Sequence, residues 1–140
     1  MAKKYPTQKH TDLILAEDVR TELHGKLTLT GVYASRYVRL FDQPSDDNPA
    51  TLRLVFVFFF RDGYGKFDMK ARVTQPDGSE LAQVDMGENS KNKNASMSIG
   101  VGFPAIKITM LGTYRIVATL DEKEFDFNFN IELGDRADYK

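Results

Sequence analysis

The sequence predicts an all-β fold, an antiparallel two-sheet sandwich of the immunoglobulin-like or C2-like kind. Most segments alternate apolar and polar residues with a period of two, and no window shows a long helical stripe with caps. Clusters of Gly, Pro, Asn and Asp interrupt these segments at the short spacing typical of sandwiches. The 140 residues fit a single domain. We expect this domain to span residues 1–140, with a polar N-terminal arm at about 1–10 and a short polar tail at about 134–140.

Ten strands are predicted from the alternation and the turn residues. They lie at 12–16, 26–35, 37–41, 52–60, 66–74, 81–86, 96–103, 106–110, 113–120 and 124–133. The polar segment 88–94 is expected to be a solvated loop. The predicted core contains Phe56, Phe58, Phe67, Met69, Ile116, Phe127 and Phe129.

Two of the connections predict hairpins. Asp62 and Gly63 are the preferred residues of a two-residue turn, which would place Phe58 opposite Phe67 in adjacent strands. A four-residue loop at 121–124 would close the last hairpin, with Leu120 opposite Phe125. Both hairpins would turn their phenylalanines toward the core.

Tyr114 follows Gly112 at the start of the penultimate strand. Immunoglobulin-like sandwiches often have a tyrosine at this place, and its hydroxyl bonds to the backbone upstream. The position gives modest support to an immunoglobulin-like fold.

Seven apolar residues run without a break from Leu54 to Phe60, so both faces of their strand are apolar. In the predicted hairpin the outer face carries Val55, Val57 and Phe59. Lysine stems, a segment of the chain such as 1–9 or 41–50, or another subunit could cover it. We expect a segment or a subunit to do so, because Phe59 is large.

The segment "SIGVGF" places Gly100 and Gly102 on one face of a strand, almost without side chains. Such glycines permit either a bend or the close approach of another chain segment. The sequence therefore predicts an interaction surface made of Val55, Val57, Phe59, Gly100 and Gly102.

The loop "DQPSDDNP" contains Asp42, Asp46 and Asp47, which could bind a cation or a partner. Calcium requires six to eight oxygen ligands, and the spacing matches no dedicated calcium loop, so a solvated acidic loop is the preferred interpretation. The chain has two histidines and no cysteine, and it shows no catalytic motif. We therefore expect no transition-metal site, no cofactor and no catalytic residue.

The stretch Leu13 to Tyr33 resembles the opening of an uncharacterised family of small bacterial β-sandwich domains of unknown function. The matching pieces are Glu17, Asp18, Val19 and Arg20, then Gly25, Lys26 and Leu27, then Gly31, Val32 and Tyr33. The resemblance implies a fold and no activity. Of this motif, Glu17, Asp18 and Arg20 could contact a cation or a partner. In the structural alternative, Asp18 bonds turn amides and Arg20 pairs with a carboxylate.

A formal net charge of −1 provides no overall field that would attract nucleic acid or an anionic membrane, and we expect neither as a partner. The start of the chain lacks the apolar stretch of a signal peptide, so a cytoplasmic location, or a virion assembled in a cytoplasm, is expected. The leading hypothesis is a non-enzymatic interaction or structural module, either a homo-oligomer or a subunit of a larger assembly. A ligand- or calcium-binding module that uses its end loops is the alternative, and an enzyme of unrevealed class is the third.

Overall fold

The computed structural model describes residues 2–134, so the predicted tail at 134–140 lies outside the described residues except for Gly134. This part of the chain forms nine β-strands and three short 3-10 helices. The strands are β1 (Thr11–Thr21), β2 (Leu27–Val32), β3 (Tyr37–Leu40), β4 (Ala50–Phe60), β5 (Gly65–Thr74), β6 (Glu80–Lys91), β7 (Met97–Ile108), β8 (Gly112–Leu120) and β9 (Lys123–Leu133). The 3-10 helices are Gln8–His10, Leu23–Gly25 and Ala34–Arg36.

The strands form two sheets that pack face to face, which confirms the predicted all-β sandwich. One sheet has the order β2-β1-β4-β7, and the other has the order β3-β9-β8-β5-β6. Strands β3 and β9 pair in parallel, unlike the antiparallel pairs elsewhere in the described sheets. This pair departs from the expected antiparallel pattern because β3 is reached by a crossover from the other sheet. No helix in residues 2–134 is long and apolar enough to cross a membrane.

The prediction that Asp62 and Gly63 close a hairpin is wrong. Strand β4 pairs with β1 and β7, whereas β5 pairs with β6 and β8 in the opposite sheet. The Asp62 carboxylate accepts hydrogen bonds from the backbone N–H and the hydroxyl of Thr7, at 2.9 and 2.7 Å. The turn therefore carries the chain from one sheet to the other. Phe58 and Phe67 still reach the same core, but from opposite sheets.

The last hairpin is confirmed, but its turn is shorter than predicted. Leu120 pairs with Lys123, so the turn contains two residues instead of four. Asp121 makes this possible by adopting a left-handed conformation with φ of 56°. The register moves by two positions, and an even shift leaves the same side chains facing inward.

All seven residues predicted for the core belong to one hydrophobic cluster, although Phe127 is only partly buried. Tyr114 is among the largest fully buried side chains. Its hydroxyl donates a hydrogen bond of 2.6 Å to the carbonyl oxygen of Met110, four residues upstream. The predicted hydroxyl-to-backbone bond is therefore confirmed.

Two edge strands are longer than predicted. Strand β6 continues to Lys91 and includes part of the segment 88–94, which was expected to be a loop. Strand β7 runs through Pro104 and joins two predicted strands. Both lie at sheet edges, where polar residues meet solvent and a proline removes no inter-strand hydrogen bond.

The outer face of β4 is covered by neighbouring strands of this chain, which corrects the expectation that the segment 1–9, the segment 41–50 or another subunit covers it. Val57 is fully buried and Val55 is 5% exposed, whereas Phe59 is half-buried. Val57 pairs with Ile14 of β1 on one side and with Gly100 of β7 on the other. The burial follows because β4 is a central strand with apolar neighbours.

The C-terminal half of β1 covers part of the outer face of β4. A Cβ atom placed on Gly100 would lie 3.4 Å from Cγ1 of Val19 and 3.9 Å from Cγ1 of Val55. Asp18 also forms an ion pair of 3.1 Å with Arg53. The end of β1 therefore curls across this face, and the missing side chain at Gly100 leaves room for it.

The N-terminal arm docks at the opposite end of β4 and does not cover the stripe. Lys4 and Tyr64 exchange two backbone hydrogen bonds of 2.9 and 2.8 Å. The ring of Tyr5 packs on Phe67 with 5.3 Å between centroids. Gly63 has a left-handed φ of 81°, and a Cβ there would lie 2.6 Å from the Pro6 nitrogen. The crossover turn therefore needs glycine to admit the arm.

Candidate functional site: a cleft at the sheet edges

A cleft of about 560 Å³ opens where the edge strands of the two sheets meet. It is lined by Glu17, Val32, Tyr33, Ala34, Ser35, Tyr37, Val38, Arg39, Phe41 and Leu52. Strand β2 is the edge of one sheet and β3 is the edge of the other, and both run beside the cleft. The site therefore combines a concave surface with two strand edges that no further strand pairs with in the described residues 2–134.

The connection between β2 and β3 creates the cleft. The chain leaves one sheet after Val32 and enters the other at Tyr37, with a single helical turn between them. Ser35 and Arg36 in this turn adopt left-handed conformations with φ of 54° and 59°. A short crossover of this kind holds the two edges apart, because it contributes no strand to fill the space between them.

Apolar side chains at the cleft remain exposed to solvent. Val32 is 54% exposed, Tyr37 is 41% exposed and Phe41 is 50% exposed. The other large exposed apolar residues among those described are Leu23 and Leu133. Contiguous exposed apolar surface on a folded domain marks a binding surface more often than scattered residues do.

Polar groups occupy the walls of the cleft. Burial raises the pKa of the Tyr33 hydroxyl, and the neighbouring Glu17 carboxylate raises it further. The Glu17 side chain also lies against Gly31, where an added Cβ would approach its carboxylate carbon to 2.8 Å. Arg39 forms an ion pair of 3.1 Å with Glu132. These contacts fix the cleft walls, and Val32, Tyr37 and Phe41 stay partly exposed beside them.

The three motif residues of the resemblance do not form one site. Glu17 lies at the cleft beside Tyr33, while Asp18 pairs with Arg53. Asp18 thus has a structural role, although its partner is an arginine side chain instead of the expected turn amides. Arg20 is exposed and forms none of the ion pairs found within residues 2–134, which corrects the expectation of a carboxylate partner.

The acidic loop between β3 and β4 stays on the surface. Asp42, Asp46 and Asp47 are all exposed. In the described part of the chain no three His, Cys, Asp or Glu side chains gather closely enough to hold a metal ion. The calcium interpretation therefore gains no geometric support. Phe41, the first residue of this loop, lines the cleft.

The structure brings the predicted interaction residues together, but away from the cleft. Val55 pairs with Gly102, and Val57 pairs with Gly100, on the face that β1 partly covers. Sequence reasoning missed Val32 and Tyr37, since each falls in an ordinary predicted strand. The sequence signal that could have revealed them is "GVYASRY". One strand ends and the next begins on either side of a turn that is too short to bury the apolar residues at both strand ends.

Comparisons with protein-family models and with curated proteins found no match to this chain. The assignment of the site therefore depends on its geometry.

Proposed function

We propose that this protein is a non-enzymatic interaction module that associates with copies of itself or with a larger assembly. Its docking surface is the cleft between β2 and β3. The observation that carries the proposal is the exposure of Val32, Tyr37 and Phe41 in a single concave site. Burying these side chains against a partner would stabilise a complex by about 25 cal/mol for each Å² of apolar area removed from water.

The edge of β2 supports the proposal. An exposed strand edge is a template for pairing with another chain, and proteins usually protect such edges with charges, prolines or bulges. Strand β7 contains Pro104, and β6 contains several charged residues. The six residues Leu27–Val32 of β2 include neither a charged residue nor a proline. Of these sheet edges, β2 is therefore the least protected, and it borders the cleft.

We also propose that the sandwich is immunoglobulin-like. In that fold, strands A, B and E are consecutive in one sheet, while G, F, C and C′ are consecutive in the other. The orders β1-β4-β7 and β9-β8-β5-β6 agree with this arrangement. The bond from the Tyr114 hydroxyl to Met110 falls at the start of the strand that corresponds to F. Immunoglobulin-like domains commonly serve recognition, and this agrees with a binding role.

The test is the mass of the protein in solution, measured by light scattering across a range of concentrations. The double variant Val32→Ser with Tyr37→Ser should weaken self-association about tenfold or more, because it removes the exposed apolar contacts. Leu23→Ser is the matched control, since Leu23 is 84% exposed but does not line the cleft. Equal association of the double variant, the control and the wild type would contradict the proposal.

A small molecule in the same cleft is the second candidate. The volume of about 560 Å³ lies within the usual range for ligand pockets, and the Tyr33 and Arg39 side chains provide polar groups. Mass spectrometry of the purified native protein would test it. A bound mass that disappears in the variant Val32→Ser with Tyr37→Ser would support a ligand site, and a mass equal to that of the bare chain would exclude a tightly bound one.

A further inference from the structure

The free edge of β2 carries backbone groups that no described strand uses. Across the β1–β2 turn, the Glu22 N–H donates a hydrogen bond of 2.6 Å to the Lys26 carbonyl oxygen. Bonded and non-bonded pairs alternate along an antiparallel ladder, so in the register of these strands Thr28 bonds to β1. Leu27 and Leu29 therefore point their N–H and C=O groups away from β1. Within residues 2–134 those groups form no hydrogen bond with another strand.

This edge is complementary to a second copy of itself. Two β2 strands can lie antiparallel with Thr28 facing its counterpart, which places Leu27 of each copy opposite Leu29 of the other. These are the residues whose backbone groups are free, so each pair of Leu27 with Leu29 exchanges N–H···O=C bonds in both directions. Threonines directly opposite each other also form a favourable cross-strand pair. The edge of one copy thus satisfies that of the other.

The paired segment runs from Lys26 to Thr30. The 3-10 turn Leu23–Gly25 precedes it. At its other end Gly31 has a left-handed φ of 66° and is skipped in the register between β1 and β2, so the regular edge stops there. An antiparallel pair centred on Thr28 sets Lys26 of one copy opposite Thr30 of the other. A strand pair of this length is marginal without further contacts.

Opposite charges at the two ends of the segment supply such a contact. Lys26 is exposed at one end. At the other end the Glu17 side chain leans over Gly31, where an added Cβ would lie 2.8 Å from its carboxylate carbon. In the pair of strands this carboxylate lies beside Lys26 of the second copy, which is opposite the neighbouring residue Thr30. Within residues 2–134 neither Lys26 nor Glu17 belongs to an ion pair, so each is available to the other copy.

The other charges nearby leave this pair undisturbed. Arg39 also lines the cleft, but it is paired with Glu132. Glu22 lies across the turn from Lys26, and in the described chain no ion pair joins their side chains. Arg20 lies on β1 level with the centre of the segment, so the Arg20 residues of two copies are three strand spacings apart, roughly 14 Å. That distance exceeds the screening length of about 8 Å at physiological salt.

We propose that two copies of this chain join through their β2 strands around a two-fold axis, with Lys26 of each copy paired with Glu17 of the other. The inference rests on the proposed function, because Glu17 and Val32 line the cleft beside the joined strands. Main-chain hydrogen bonds provide affinity in such strand addition, and the charge pairs fix its register. Each copy completes the cleft of the other by contributing Lys26. A contact between identical surfaces closes as a dimer.

Charge reversal tests the pair, with light scattering and sedimentation of the full chain as the readout. The wild type should rise with concentration from the 15.9 kDa monomer toward twice that mass. Glu17→Lys and Lys26→Glu should each weaken the dimer about tenfold or more, because each sets like charges together in both symmetric contacts. Lys70→Glu and Glu88→Lys are the matched controls, since both side chains are exposed and lie in the other sheet.

Restored pairing separates this contact from general damage. The double variant Glu17→Lys with Lys26→Glu should dimerise like the wild type, and so should an equimolar mixture of the two single variants. Within one copy, Lys26 is five residues from Gly31 and the carboxylate above it, a separation of roughly 17 Å. Rescue therefore reports a contact between copies.

Hydrogen exchange of the wild type gives an independent readout that needs no substitution. The Leu29 amide is free at the edge of the monomer and should become about tenfold more protected, or better, as concentration favours the dimer. The Thr28 amide is bonded to β1 in both states and should change little.

A wild type that stays monomeric would overturn the inference, as would single reversals that associate like the wild type or a failure of both rescue experiments. Assemblies that grow beyond a dimer, or a Leu29 amide that stays unprotected in the dimer, would do the same. If Val32→Ser with Tyr37→Ser dissociates the protein while the charge reversals do not, the β2 contact is wrong and the docking role of the cleft stands. If only the reversals dissociate it, the β2 contact stands and the apolar cleft is not the docking surface.

Discussion

The outer face of β4 and the cleft between β2 and β3 both carry apolar side chains, and within residues 2–134 the first is largely buried while the second stays partly exposed. Val57 is fully buried there, and Val19 reaches across the face above Gly100. At the cleft, Val32 and Phe41 remain about half exposed. An apolar run in a central strand therefore predicts burial by the chain's own neighbours. The exposed apolar surface lies instead where two sheet edges end beside each other, and this is the surface that we propose for docking.

Phe58→Ala should have the largest effect, because it breaks the core on which both regions are built. Phe58 is fully buried and its ring contacts Phe60 and Phe127. Truncation of a buried phenylalanine leaves a cavity and costs about 3 to 5 kcal/mol of unfolding free energy. Denaturant unfolding would measure the loss, with Leu23→Ala as a nearly neutral exposed control. A cost below about 1 kcal/mol would mean that this core is not packed as described.

Much of the architecture was accessible from the sequence, because burial enforces alternation. The inward faces of β8 and β9 were predicted although the turn length was wrong, since the conformation of Asp121 changes the register without exchanging faces. The sequence could not show that the strands before and after Asp62 and Gly63 belong to different sheets. The same dipeptide closes a hairpin or crosses between sheets, and the hydrogen bonds from Thr7 that decide the outcome come from 55 residues away.

The candidate site was less accessible for a related reason. Exposure of Val32 and Tyr37 depends on which strands lie at sheet edges, and alternation within a strand does not reveal its neighbours. The unbroken apolar run that contains Val55 and Val57 was visible in the sequence as an anomaly. Its cover by β1 could not be predicted, because it depends on the path that β1 takes through the fold, far away in the sequence. Local patterns thus located the unusual residues and left open what contacts them.

Gly100→Leu should have the next largest effect and sharpens the comparison at the covered face. A Cβ at Gly100 would lie 3.4 Å from Val19, so alanine should fit while a larger side chain displaces β1. We expect Gly100→Leu to cost about 1 to 3 kcal/mol, and Gly100→Ala to cost much less. Ser98→Leu on the exposed part of β7 is the control. Equal unfolding free energies for Gly100→Leu and Ser98→Leu would show that β1 does not press on this face.

Asp121→Asn should have a smaller effect and concerns the docked arm. A hydrogen bond from Lys3, then bonds from Tyr5 and from the Asp68 amide, lower the pKa of Asp121 from 3.8 to about 2. Because the folded pKa is depressed, this stabilisation is complete above about pH 4 and is lost as the pH falls through 2. We expect the variant to lose about 1 kcal/mol at neutral pH. Hydrogen exchange of the Lys4 amide should become faster.

The pH dependence separates this role from general destabilisation. In the wild type, exchange at Lys4 should accelerate as the pH falls from 4 to 2, after correction for intrinsic rates. In Asp121→Asn this change should be much weaker. Asp77→Asn is the control, since Asp77 also has a lowered pKa but accepts hydrogen bonds from Ser79 of its own turn, away from the arm. If the Lys4 amide of the wild type were equally protected from exchange at pH 2 and pH 5, the ionised Asp121 carboxylate would not be what holds the arm in place.

Val32→Ser should have the smallest effect on stability, and its comparison with Val55→Ser tests the contrast between the two regions directly. The two changes remove the same atoms, one from the cleft and one from the covered face. Val55 is 5% exposed, so a serine there loses buried apolar contact and places a hydroxyl in an apolar layer, at a cost of about 2 kcal/mol. Val32 is 54% exposed, and its replacement should stay within about 0.5 kcal/mol of the wild type. Unfolding at a concentration where the protein is monomeric isolates this difference from association. If the two variants lost equal stability, the cleft would be part of the folded core and its open apolar surface could not be reserved for a partner.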